Sequence, residues 1–260
     1  MRRFSMMLSA ALMTIGASSA IAQTQAPAGV PPAPGPFTVF VNGGVQIGDN
    51  DINRVSTFSL YEEEARIEFS QTDIGGGGFF EIGGSWRFRG RLGAGASYSY
   101  LGSSGDGTVV GSIPHPLVFD SFRPIEASAS DLEHNEHGFH LFATWQMPLT
   151  EKVELTFSGG PSFFNISQDF IRTVTFSETP PFDSVTVDSV DLASMKENGV
   201  GFNLGVDASY ALTQMMGLDV GLGAMARYTR GEADFKLTDT ETFGVKAGGF
   251  QLGVGARVRF

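Results

Sequence analysis

The closing segment of the chain alternates without exception: Phe250, Leu252, Val254, Ala256, Val258 and Phe260 take every second position, with Gln251, Gly253, Gly255, Arg257 and Arg259 between them. A strand sends successive side chains to opposite faces, so one face here is continuously apolar and the other small or charged. The same design recurs in Leu218, Val220, Leu222, Ala224, Ala226 and Tyr228, and again in Val200, Phe202, Leu204, Val206, Ala208 and Tyr210. Further upstream it returns from Val153, from Phe139, from Leu92 and from Phe80, and in noisier form over Phe37 to Ile47. Eight such segments predict an all-β fold.

The connections alternate as regularly as the residues. Arg89-Gly90, Leu149 to Lys152 and Leu212 to Met215 are tight, whereas 48–77, 103–135, 168–198 and 229–243 are long. In an up-and-down barrel this puts every short turn, and both termini, at one end. The strands from Phe139, Val200, Leu218 and Phe250 each run for about ten residues, the length a tilted strand needs to cross a bilayer. Their apolar faces end in Trp86 and Phe88, Tyr98 and Tyr100, Trp145, Tyr210, Tyr228 and Phe260, as girdles at two water–lipid boundaries would require. A soluble sandwich predicts no such ends. The expectation is an eight-stranded antiparallel up-and-down transmembrane β-barrel over 37–260. Alternation inside the long connections, at Arg66 to Phe69 and Thr173 to Phe176, predicts hairpins continuing beyond the membrane and leaves ten strands as an alternative count.

The start of the chain carries Met1-Arg2-Arg3, an apolar run from Phe4 to Ile15 and the small-residue ending Ala20-Ile21-Ala22. That three-part pattern predicts a secretory signal peptide over 1–22. Residues 23–36, QTQAPAGVPPAPGP, are too proline-rich for helix or ladder and predict an extended periplasmic linker. With no cysteine in the chain, neither a lipid anchor nor disulfides can stabilise it, as a closed sheet could.

The inward face combines glycine and serine with opposite charges: Glu81, Glu154, Asp207 and Asp219 against Arg87, Arg227, Arg257 and Arg259. Buried charge is costly unless paired, so an ionic network across the lumen is expected. Narrow barrels are usually filled by side chains, which favours a plugged interior. The inward glycines Gly93, Gly95, Gly205, Gly221, Gly223, Gly253 and Gly255 favour residual space, and a narrow polar path stays open as the second reading.

The net charge of −11 and the absence of a basic stripe argue against nucleic acid as a partner. The long connections hold most of the acid, Glu62-Glu63-Glu64, Asp188 and Asp191 included, with few bases, among them Arg54, Arg66, Arg123 and Lys196. No EF-hand spacing accompanies these acids, so no metal site is assigned. His134, Glu136 and His140 share one strand face at the expected outer mouth, with His137 on the other; their spacing is not that of a helical zinc site, and they read as rim residues in water. No G-x-S-x-G elbow accompanies a histidine. Gly75 to Gly78 precedes no lysine and is not a phosphate loop. No catalytic residue and no cofactor are assigned.

Taken together, the signal sequence, the eight amphipathic strands, the loop asymmetry and the ending Ala256-Arg257-Val258-Arg259-Phe260 resemble the small outer-membrane β-barrel families: the OmpA transmembrane barrel, OmpW-like proteins and opacity or adhesin-type barrels. The resemblance covers roughly residues 37–260 and is one of pattern. It implies a Gram-negative outer-membrane location with long loops outside and termini in the periplasm, and contact with outer-membrane lipids. It also implies that Phe250, Leu252, Val254, Ala256, Val258 and Phe260 form the signal read by the barrel-assembly machinery. Against full-length OmpA-type proteins, the chain is expected to lack a peptidoglycan-binding domain. The function expected first is structural or surface-interactive, in adhesion or envelope integrity, through an unidentified extracellular ligand of the loops. A small porin-like channel comes second and a lipid-modifying enzyme a distant third.

Overall fold

The computed structural model describes residues 35–260 apart from 49, 216 and 237–241. The signal peptide expected over 1–22, and residues 23–34 of the expected linker, lie outside the described residues.

Eleven strands follow in order: β1 (Phe37–Ile47), β2 (Asn50–Leu60), β3 (Glu63–Ile74), β4 (Gly77–Arg89), β5 (Leu92–Pro114), β6 (Phe122–Pro148), β7 (Val153–Glu178), β8 (Val185–Met215), β9 (Leu218–Lys236), β10 (Thr242–Ala247) and β11 (Phe250–Arg259). Eight of them close a ring, β1-β4-β5-β6-β7-β8-β9-β11, in which β11 returns to β1 and every pairing is antiparallel. A closed ring leaves no edge strand, which is what permits β-structure to cross a bilayer. Closure is made by the first and last strands. Phe37 N donates to Phe260 O at 3.0 Å and Phe260 N to Phe37 O at 2.9 Å; the two rings stack at 5.9 Å.

The ring's outer surface bears the apolar parity of the strands. Near the tight turns Phe37 stacks on Trp86 with ring centroids 6.2 Å apart, and Trp145 meets Phe157 at 5.6 Å. At the other boundary the cross-strand row Tyr100, His137, Asn165 and Asn198 is polar. Tyr100 Oη donates to Asn135 at 2.9 Å, Tyr98 Oη is bonded to His137 Nδ1 at 2.7 Å, and Asn165 Nδ2 donates to Asn198 at 2.9 Å. Tyrosine, with an apolar ring and a polar tip, belongs at such a boundary.

Beyond this row the molecule continues as a second tier. The stretches 48–77, 103–135, 168–198 and 229–243, expected as long loops, are largely strand. The β2–β3 hairpin pairs with the outer half of β5, from Arg66↔Ser112 to Thr72↔Asp106, and β10 pairs with the outer end of β9. The β6–β7 ladder stops outward at His134↔Gln168, while β5–β6 runs on to Pro114↔Phe122 and β7–β8 to Glu178↔Val185. The outer parts of β2, β3, β5 and β6 therefore form one sheet and the β7–β8 hairpin another. They share a core in which Ile67, Phe69, Val109, Ile113, Ile125 and Leu132 meet Ile171 and Val174. The strand count rises above both eight and ten because β2, β3 and β10 lie outside the ring. The ring itself keeps eight.

Candidate functional site

The inward face of the ring is built in successive layers, starting at the tight turns. Arg259 Nη2 donates to Glu154 Oε1 at 2.5 Å, Arg87 Nη1 lies 4.0 Å from the same carboxylate, and Arg87 Nη1 also donates to Gln146 at 3.3 Å. One step inward, Arg257 pairs with Asp207 through Nη2 and through Nε, the latter at 3.3 Å, and its guanidinium lies over the Phe40 ring. At the centre Arg227 pairs with Glu81 and donates from Nε to Gln251 at 2.7 Å, while Asn42 donates to Glu81 at 2.8 Å. Glu81 is 1% exposed and Arg227 6%, so each charge depends on the other for its solvation.

The chain of bonds continues outward without a break. Gln251 Nε2 donates to Gln46 Oε1 at 2.6 Å; Gln46 Nε2 in turn reaches Gly75 O at 2.8 Å and Glu136 at 3.3 Å. Glu136 also accepts the backbone N–H of Gly248 at 3.0 Å and is bonded to His134 Nε2 at 2.8 Å, with His134 Nδ1 held by Gln168. Gly248 has φ +82°, and a Cβ there would sit 2.4 Å from Thr229 Oγ1; only glycine brings that N–H to the carboxylate unstrained. His140 lies between Ser99 and Ser162, at 2.9 and 2.8 Å, with Phe164 edge-on against its ring. The reading of His134, Glu136 and His140 as rim residues in water is thus corrected: they are 0%, 4% and 0% exposed. The reason is strand length, since β6 continues outward from His134 to Phe122 and what looks in sequence like a mouth is the middle of a strand.

From the His140 and Glu136 level outward, apolar side chains join the polar ones and then replace them. Phe164, Ile166, Phe170, Phe235, Val245 and Ala247 form a buried cluster against which Ile52 packs. Of the inward glycines that in sequence suggest free space, Gly95, Gly223 and Gly253 seat large side chains from other strands, as Gly231 does further out, while Gly221 and Gly255 lie against neighbouring backbone. A Cβ at Gly223 would lie 2.5 Å from the Arg257 guanidinium, at Gly95 2.4 Å from the Phe142 ring and at Gly231 2.5 Å from the Phe164 ring. A cavity of about 80 Å³ lies in the turn-side half, bordered by Asn42, Thr144, Asn203, Asp207, Arg227 and Arg257 and by Phe40, Phe142 and Met225. Its wall is mixed, with amide, carboxylate and guanidinium groups set among apolar side chains.

The barrel wall lapses locally on its β6–β7 seam. β6–β7 pairing is interrupted between His140↔Ser162 and Ala143↔Gly159, where Pro161 has no N–H to give. Asn203 Nδ2 fills the place, 3.2 Å from Leu141 O, 3.1 Å from Gly160 O and Pro161 O, and 3.0 Å from Ser162 Oγ.

Of the eight charged lumen residues read from sequence, the geometry brings seven into ion pairs: Glu81 with Arg227, Asp207 with Arg257, and Glu154 with both Arg259 and Arg87. Asp219 stands half-buried beside the Gly217 turn, with no ion pair among the described residues. Sequence reasoning passed over the neutral links Asn42, Gln46, Gln168, Ser99, Ser162 and Gln251. Their signal was parity, since Gln251 is an even number of positions from Arg257 and so shares its face. The residues of the terminal alternation, Phe250, Leu252, Val254, Ala256, Val258 and Phe260, line the outside of the wall, with Val254 68% exposed.

At the far end a second constellation gathers three turns. Arg123, 4% exposed, donates to Pro114 O at 2.5 Å, Phe182 O at 3.0 Å and the Glu178 carboxylate at 2.5 Å. Tyr61 Oη donates to the same carboxylate at 2.7 Å, and Asp120 N to Glu63 at 2.8 Å. The hydrogen bond to Glu178, then desolvation and the carboxylate's charge, hold the Tyr61 phenol above its ordinary pKa of 10.0, with Arg123 pulling the other way. The β2–β3, β5–β6 and β7–β8 turns are thereby tied into one tip.

A closed ring of eight antiparallel strands, apolar outside and polar within, defines a transmembrane β-barrel. Neither a protein-family pattern nor a curated protein matches the sequence. Among solved structures the chain is similar to small outer-membrane β-barrel proteins. One is the outer membrane protein OprG of Pseudomonas aeruginosa, 10% identical over 87% of this chain and 96% of that one, with a TM-score of 0.39. Neisserial surface protein A is 15% identical over 86% and 97%, with a TM-score of 0.35. The outer membrane protease OmpT of Escherichia coli is 9% identical over 90% and 99%, with a TM-score of 0.44.

Proposed function

We propose that this protein resides in the bacterial outer membrane as a closed, non-conducting barrel, and that its distal tier serves surface interaction, in adhesion or envelope integrity. The observation that carries this reading is the filled interior. From Glu154 to Glu136 the lumen is crossed by ion pairs and amide links, with Phe164 and Ile166 packed at the Glu136 level, and further outward it is covered by the Phe170, Phe235 and Val245 part of the same apolar cluster. Passage of even a small solute requires breaking buried ion pairs and parting an apolar core. The tight turns and the first and last residues of the ring, Phe37 and Phe260, then face the periplasm and the tip faces outward, consistent with delivery from the periplasmic side. The outward apolar and aromatic band meets outer-membrane lipids, and the strand ending at Phe260 is offered to the barrel-assembly machinery. Planar-bilayer recording on the refolded protein tests the reading. A silent bilayer is expected; reproducible discrete openings overturn it in favour of the small channel.

A further inference from the structure

The tip differs from the rest of the distal tier in what it shows to water. Leu117, Val118, Phe119 and Phe122 are 74%, 53%, 79% and 45% exposed, and Tyr61 beside them 45%. Neighbouring apolar side chains left in water at this density mark an interaction site more often than an accident. The display is held rigidly. His115 Nδ1 accepts the N–H groups of Leu117 and Val118, both at 3.1 Å, and His115 N donates to Ser121 O at 2.8 Å. The Arg123 clasp ties this turn to its two neighbours. A preformed apolar surface loses little freedom when it is covered.

Charge restricts what covers it. The segments 60–64, 114–122 and 179–184 carry Glu62, Glu63, Glu64, Asp120 and Asp183 and neither lysine nor arginine; Arg123, the adjacent cation, is buried against Glu178. A second copy would bring an identical acidic rim against this one, and a bilayer would draw the acids toward its apolar interior; both are disfavoured. We propose that the tip formed by Tyr61, Leu117, Val118, Phe119 and Phe122 is a docking site for a polypeptide segment that presents apolar side chains flanked by lysine or arginine. The proposal rests on the surface-interaction reading and gives it a site and a partner chemistry.

The test uses the full chain in lipid nanodiscs and a fluorescent amphipathic peptide of lysine and leucine, read by anisotropy. Saturable binding is expected, weakened about tenfold by Leu117→Ser with Phe119→Ser, as loss of two central apolar anchors should do. Glu62→Gln with Asp120→Asn should weaken it severalfold and flatten its salt dependence. The proposal is overturned by absent peptide binding, by equal binding of a glutamate–leucine peptide, or by an unchanged affinity in the Leu117/Phe119 variant. Preferential uptake of the tip by phosphatidylcholine vesicles, or dimers abolished by that variant, overturns it as well. A silent barrel whose tip fails these tests removes the docking site alone; a conducting barrel removes the parent reading.

Discussion

The two tiers of this molecule are made from the same strands with opposite chemistry. Within the membrane tier, β9 points Gly221, Gly223, Met225, Arg227 and Thr229 inward and Leu222, Ala224 and Tyr228 outward. A few residues on, the same strand points Ala233 and Phe235 inward and Arg230, Glu232, Asp234 and Lys236 outward. The backbone parity does not change; the solvent does. Lipid demands an apolar exterior and leaves the lumen polar, whereas water demands a polar exterior and an apolar core. β5 makes the same exchange, from Ser97 and Ser99 inside and Tyr98 and Tyr100 outside to Val109 and Ile113 inside and Asp106 and Thr108 outside. Each tier is therefore held by a different force, and perturbations should separate them.

The sharpest separation comes from the centre of the polar lumen. Arg227→Leu leaves Glu81 buried without its cation, at a cost of about 3–5 kcal/mol. Denaturant unfolding of the refolded protein should show it, with loss of the heat-modifiable gel migration of a closed barrel at lower temperature. Adding Glu81→Leu should recover a large part of the loss, because no lone charge then remains; a double variant as weak as the single one would mean that the pair is not the source.

In the distal tier the corresponding lesion is a cavity. Leu132, 1% exposed, changed to Ala should cost about 2–4 kcal/mol. Hydrogen exchange should quicken along the outer parts of β3, β5 and β7 while the membrane ring keeps its protection and its gel shift. If the ring loosens equally, the tiers are one cooperative unit and are not held by separate forces.

The smallest effect concerns the clasp. Because the Tyr61 pKa is raised in the folded protein, its contribution is whole below the ordinary phenol value and is lost as pH rises through the raised one. Tyr61 is nearly half exposed, so only local loosening of the tip is expected. Amide exchange around the β2–β3 and β7–β8 turns, compared between the protein and Tyr61→Phe, should converge at alkaline pH; persistence of the difference after the phenol ionises would refute the link.

The exchange of chemistry along each strand also explains what the sequence made legible. Apolar parity locates the ring accurately, because in lipid the contrast between faces is largest. It fades where the faces trade roles, at Tyr100 on β5 and Tyr228 on β9, and there a reader following apolar residues ends the strand although the backbone runs on. By this route His134, Glu136 and His140 read as a rim, although they sit inside β6. The charged lumen residues were readable from parity and cost alone, but their partners were not, since Arg227 meets Glu81 across 146 positions of sequence and only the ring's closure sets them face to face. Arg123 was visible only as one of few bases; nothing local announces that it holds three turns.

The hydrogen bonds between Phe37 and Phe260 bear on how such a ring is made. Until its last residue is in place, the growing wall is an open sheet with two bare margins, each able to pair with the wrong strand of another copy. Once they join, the ring has no privileged starting point. Cutting it at the Gly90 turn and linking the old ends would preserve every pairing in the wall, so the order in which the strands are written is a matter of delivery, and the shape belongs to the circle.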